Sequence, residues 1–199
     1  NSGIIFAQFL YGFSKDIKEQ STMTIKEFAE YMHTASECAY YALAKPKEGT
    51  MITVIKDWAN NLTETCDSTD DFTTLLLNAL NVAMESLKGT GKFIAAKAKT
   101  IVDAGAKGFV VFLEGMCEYF HSGEKTVQVA NAEIVDSEWM GEDNHENITF
   151  RYCTEALLIG EDLDRNELTS LIEMMGVCLV VAGSSKKMRL HIHTDEPWV

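Results

Sequence analysis

The chain has 199 residues, 46% of them hydrophobic, and carries 17 Lys and Arg against 30 Asp and Glu, a formal net charge of −13. That length allows one large domain or two small ones. The acidity argues against nucleic acid as a partner and against a polybasic membrane anchor, since both need a basic face. No apolar run reaches the about 18 residues of a spanning helix, and no signal peptide is recognisable.

The five cysteines (38, 66, 117, 153 and 178) are odd in number and form no C-x-x-C pair. That usage fits reduced thiols and a cytoplasmic setting better than a disulfide framework. The chain starts at Asn1 rather than Met and stops at Val199 just after a strand-like run. It is therefore expected to be a piece of something longer.

Asn1-Ser2-Gly3 precedes Ile4, Ile5, Phe9, Leu10 and Phe13, which share one helical face. Such a small polar first turn offers free N–H groups to an anion, or is a plain N-cap. Thr24 to Leu43 reads as a long helix, with Thr24 and Glu27 as a capping box and Phe28, Met32, Ala35 and Ala39 as its buried stripe. Lys45-Pro46-Lys47 stops it. Gly49-Thr50-Met51 opens a helix through Ile52, Ile55 and Trp58, and residues 63–69 form a polar connector.

Asp70-Asp71 starts the next helix, which Gly89-Thr90-Gly91 is expected to break before a short helix to Lys99. Asp103-Ala104-Gly105 is a cap and turn leading into Phe109, Val110, Phe112, Leu113 and Met116 at helical spacing. Gly105 and Gly108 would let another backbone or a flat ligand come close. Residues 1–123 thus read as an antiparallel helical bundle.

The pattern changes after Gly123. Thr126–Val135 alternates as a strand, residues 141–147 read as a polar loop, and Ile148–Ile159 reads as a second strand. Asp164 caps a helix that ends at Gly176. Val177–Ala182 reads as a buried strand and Met188–Thr194 as another, so residues 124–199 form a small α/β domain. Met84 and Met174 read as core filler, and Trp58 as core.

Two constellations could carry chemistry. In His191-Ile192-His193 both imidazoles project from one face of a strand, about 6–7 Å apart. Cys153, on another strand-like segment, could join them. Two His and one Cys is a set that zinc accepts, with Glu155 or Asp195 behind an imidazole. The alternative is two solvent-facing histidines. Cys178 competes for this role, but its apolar run makes it inert core. The second constellation is three helix starts, Asn1-Ser2-Gly3, Gly49-Thr50-Met51 and Asp103-Ala104-Gly105. Gathered on one side they would build a nucleotide pocket; otherwise they are ordinary caps.

NSG, KPKEGTMITVIKDWA, VDAGAKGFVVFLEGM, RYCTEALL and HIHTDEP occur in that order. Together they resemble the fatty acid kinase A-subunit family, also described as YloV-like or Dak-phosphatase-like proteins, some fused to a DegV-type domain. The resemblance implies an all-helical barrel or bundle like the L subunit of dihydroxyacetone kinase over residues 1–123, incomplete at its N-terminus. A middle α/β domain follows over residues 124–199, its C-terminus left open.

The implied activity is phosphoryl transfer from ATP to a fatty acid carboxylate held by a DegV-type binding protein. Asn1, Ser2, Gly3, Thr50, Met51, Asp103, Ala104 and Gly105 carry over as nucleotide-binding positions. Cys153, His191 and His193 carry over as zinc positions.

One departure bears on activity. The family's magnesium-binding aspartates lie upstream of the Asn-Ser-Gly segment, and Asp70-Asp71 reads as a helix cap rather than a replacement. Since phosphoryl transfer depends on that metal, the chain by itself is expected to be inactive. Alternative readings are a non-catalytic module with a structural zinc and a zinc-dependent hydrolase or phosphatase. A homodimer is left open.

Overall fold

A computed structural model describes residues 2–17, 20–94, 102–123 and 149–199. Five helices come first: α1 (Ser2–Ile17), α2 (Ile25–Tyr41), α3 (Met51–Thr65), α4 (Phe72–Ile94) and α5 (Ala104–Ser122). Successive helices pack on one another through short connections, as a bundle requires. Thr24 and Glu27 form the expected capping box on α2, with reciprocal bonds of 2.7 and 3.2 Å. Asp71 caps α4 by accepting from the Thr74 N–H at 2.9 Å. Gly123, in the left-handed region at φ 69°, closes α5.

Three aromatic rings fix how the helices line up. Phe9 of α1, Trp58 of α3 and Phe109 of α5 meet edge to face, with centroids 5.5–6.2 Å apart. All three are almost fully buried. They stand seven, seven and five residues after Ser2, Met51 and Ala104, so each helix start lies about 8–10 Å from the cluster along its axis. The three helix starts lie on the same side of the cluster, since Ser2, Thr50, Met51 and Asp103 line one cavity. α1 and α2 come close at Gly12, where a Cβ would fall 2.9 Å from the Ala35 Cα.

The expected break at residues 89–91 does not occur: α4 runs through to Ile94. Glycine lowers helix propensity by about 1 kcal/mol but removes no hydrogen bond. The buried Thr90 adds a hydroxyl bond to the Leu87 carbonyl at 2.7 Å. α3 also extends to Thr65, into the expected connector. The expected helix to Lys99 falls largely, and the strand over residues 126–135 and the loop over 141–147 wholly, outside the described residues.

The second unit is a three-stranded antiparallel sheet of β1 (Tyr152–Ile159), β2 (Val177–Ser184) and β3 (Lys187–Thr194), in the order β1-β3-β2. α6 (Arg165–Ile172), capped by Asp164, and a short 3-10 turn link β1 to β2. One sheet face packs Leu190, Ile192 and Val181 against Leu168 and Ile172 of the α6 layer. The other packs Val180 and Ala182 against Ile4 and Ala42 of the bundle. The segment after α2 extends this contact as an added edge: the Val181 N–H donates to the Ala42 carbonyl at 3.1 Å, and the Ala44 N–H to Leu179 at 3.2 Å.

β2 is only partly the buried strand expected. It is bulged between Val177 and Val180, Cys178 has φ 57°, and Val177 and Cys178 are exposed. The inert-core reading of Cys178 is therefore wrong. Met84 and Met174, read as core filler, are also exposed, whereas Trp58 is core.

Candidate functional site

The three helix starts open onto one cavity of about 380 Å³. Ser2, Thr50, Met51 and Asp103 line it from the bundle. Local sequence explains each position. The Asp103 carboxylate accepts from the Ala106 N–H at 2.7 Å, which starts α5. Gly49, at φ 75°, turns the chain into α3, and its N–H donates to the Thr53 hydroxyl at 3.0 Å. The Thr50 hydroxyl donates to the Lys47 carbonyl at 2.8 Å rather than capping its own helix.

Gly105 provides one of the two close approaches expected. A Cβ there would run into the Ser2 hydroxyl, so α5 and α1 touch at their first turns. A Cβ at Gly108 would meet nothing. Of the other positions in this set, Ala104 is exposed and is not among the lining residues, and Gly3 belongs to a separate hollow. Asn1 lies outside the described residues.

Three features were not legible as site residues. Lys45 and Lys47, read only as a helix stop, line the cavity and put two cations beside three helix N-termini. Gly176 and the bulged start of β2, Val177 to Val180, line it from the second unit. Thr90 ties the site together, its hydroxyl accepting the Asp103 N–H at 3.0 Å. The Lys-Pro-Lys charges could have signalled the first; nothing local signals the other two.

On the second unit, the β1–β3 register sets Cys153 opposite His193 and Glu155 opposite His191. The Cys153 Sγ lies 3.9 Å from each ring nitrogen of His191, and the two imidazole centroids are 5.1 Å apart. One ligand atom from each residue falls within 4.8 Å of the others, and this is the one such metal-competent group of three among the described residues. Zinc bonds of about 2.0–2.3 Å need donors only slightly closer than this, so the set fits zinc.

His191 is 4% exposed, and burial pushes its imidazole below the ordinary value, partly offset by the Glu155 hydrogen bond. The neutral ring is the form that ligates. Glu155 Oε1 stands 3.5 Å from His191 Nδ1. Asp195, the other expected supporting carboxylate, instead accepts the Arg151 N–H at 2.8 Å.

Comparison with known proteins agrees with this two-part layout. Residues 1–118 match the DAK2 domain, and residues 149–199 match the FakA-like middle domain, that of the fatty acid kinase A-subunit type. The chain belongs to the fatty acid kinase A-subunit or Dak-phosphatase family. Similar relatives include an uncharacterized protein of Staphylococcus epidermidis, 33% identical over 99% of this chain. Another is an uncharacterized protein of Staphylococcus aureus strain USA300, also 33% identical over 99%. The chain spans 38% of the length of each.

Proposed function

We propose that this chain is part of an ATP-dependent fatty acid kinase subunit, with its helices belonging to an all-helical nucleotide-binding barrel. Residues 1–123 are the nucleotide-binding unit and residues 124–199 the middle domain. The parent protein would phosphorylate a fatty acid carboxylate presented by a DegV-type binding protein in the cytoplasm. The observation that carries this reading is the convergence of Ser2, Thr50, Met51 and Asp103 on one cavity beside Lys45 and Lys47.

Helix N-termini and ammonium groups favour phosphate oxygens, and the apolar Met51 and Ile5 suit a base. Ser2, with its neighbours Asn1 and Gly3, would lie by the phosphates and Thr50 and Met51 by the nucleoside, while Asp103, Ala104 and Gly105 form the turn beside them. Magnesium would neutralise charge on the transferring phosphoryl group, on aspartates expected in the preceding part of the parent. Cys153, His191 and His193 would hold zinc, which would supply a charged cross-link between β1 and β3 and a Lewis-acidic point.

A hydrolytic role for that zinc is the second reading, favoured by Glu155 beside His191. Calorimetry of ATP binding, with elemental analysis of the same sample, tests the proposal. ATP binding that is lost on Gly105→Val, with one zinc per chain, is expected. Undiminished binding in that variant would remove the cavity from the mechanism. Hydrolysis of phosphate esters by the chain, lost in Cys153→Ala, would favour the second reading.

A further inference from the structure

A second hollow of about 410 Å³ lies between α1 and the β2–β3 hairpin. The buried Ile4 and Ala182 give it an apolar lining, and the exposed Arg189 and Lys187 also line it. Gln8 also lines it. The residue is 5% exposed, and its amide is a hydrogen-bond donor on the lining of the hollow.

Lys187, Arg189, His191 and His193 alternate along β3, so all four project from one sheet face. Arg189 is thus the next side chain in the row beyond the metal-competent cluster. Neither Arg189 nor Lys187 forms an ion pair among the described residues. The nearest carboxylate in this row, Glu155, faces His191. An adjoining hollow shares Gln8 and Gly183 and adds Lys15 and Arg165. Its one acid, Asp164, is already occupied in capping α6. Four cations around two joined hollows stand out on a chain of net charge −13.

We propose that this hollow is an anion-binding site, in which Arg189 and Lys187 hold a carboxylate or phosphate group and Gln8 donates to it. An arginine fork matches either oxyanion in two-point fashion, and the apolar lining accepts a short hydrocarbon part. The site shares no residue with the proposed nucleotide cavity and stands or falls separately.

The test is titration of the whole chain with inorganic phosphate and, separately, with octanoate, read by amide resonances. The expected result is movement of Ser184, Lys187, Arg189 and the Gln8 side-chain amide with one or both probes. Phosphate alone would identify a phosphoryl ligand, and octanoate alone an acyl carboxylate. Arg189→Gln should weaken binding at least tenfold and Arg189→Lys should restore part of it. Lys26→Gln, on the far salt bridge to Asp67, should change nothing.

The shifts should persist in Cys153→Ala. Shifts confined to His191 and His193 and abolished in Cys153→Ala would overturn the proposal, because the anion would then sit on the metal. No shift up to roughly ten-millimolar probe would overturn it as well.

Discussion

The backbone N–H of Asp103 donates to the Thr90 hydroxyl at 3.0 Å, and that same hydroxyl donates to the Leu87 carbonyl at 2.7 Å. One buried side chain therefore joins the body of α4 to the turn that starts α5. Thr90→Val keeps the shape and removes both bonds. It should cost about 1–2 kcal/mol in denaturant unfolding, because the Asp103 N–H loses its partner. It should also weaken ATP binding if the Asp103 turn borders the nucleotide. Unchanged stability would mean that water replaces the hydroxyl.

Gly105 and Gly108 lie three residues apart on α5 and should respond in opposite ways. Alanine at Gly108 meets open space and gains helix propensity, so it should stabilise by up to about 1 kcal/mol. Alanine at Gly105 runs into the Ser2 side chain, and it should destabilise and separate the first turns of α1 and α5. Thermal unfolding of the two variants side by side measures this contrast.

Cys153→Ala and His191→Ala should each lose bound zinc in elemental analysis and loosen residues 149–199, while the helical signal in circular dichroism persists. Cys178→Ala should keep the metal, because Cys178 sits on the bulge of β2 and belongs to no metal-competent group among the described residues. Metal retained in both of the first variants would end the zinc assignment.

His191 sets a pH dependence whose sign follows from its burial. Its folded-state value is held below the ordinary imidazole value. The unfolded chain therefore takes up a proton first as pH falls through about 6.5. The metal-free protein should have this contribution in full above that pH and lose it progressively below. His191→Leu should flatten the slope of stability against pH over the same range. An unchanged slope would assign it to other groups.

Local signals carried much of the fold. Thr24 with Glu27, Asp71, Asp103, Asp164 and Gly123 marked helix ends because capping is chemistry within a few residues. Gly89-Thr90-Gly91 misled because glycine only weakens a helix, and the buried Thr90 contact that holds this stretch is tertiary. Cys178 was misread for a similar reason: an apolar run predicts burial, but the bulge turns the first part of β2 outward.

The Cys153–His191–His193 group was legible because strand alternation fixes which side chains share a face. The register that sets Cys153 opposite His193 was needed to complete it. That Lys45, Lys47 and the β2 bulge share a cavity with Ser2 depends on contact between the two units, which no local pattern encodes.

The most direct test of the central claim is to titrate ATP into the chain and follow the amide resonances of Ser2, Thr50, Met51 and Asp103. The nucleotide reading predicts that all four move together, with Lys45 and Lys47 following and Lys26 still. ATP that moves none of them, or moves only Lys187 and Arg189, would contradict it.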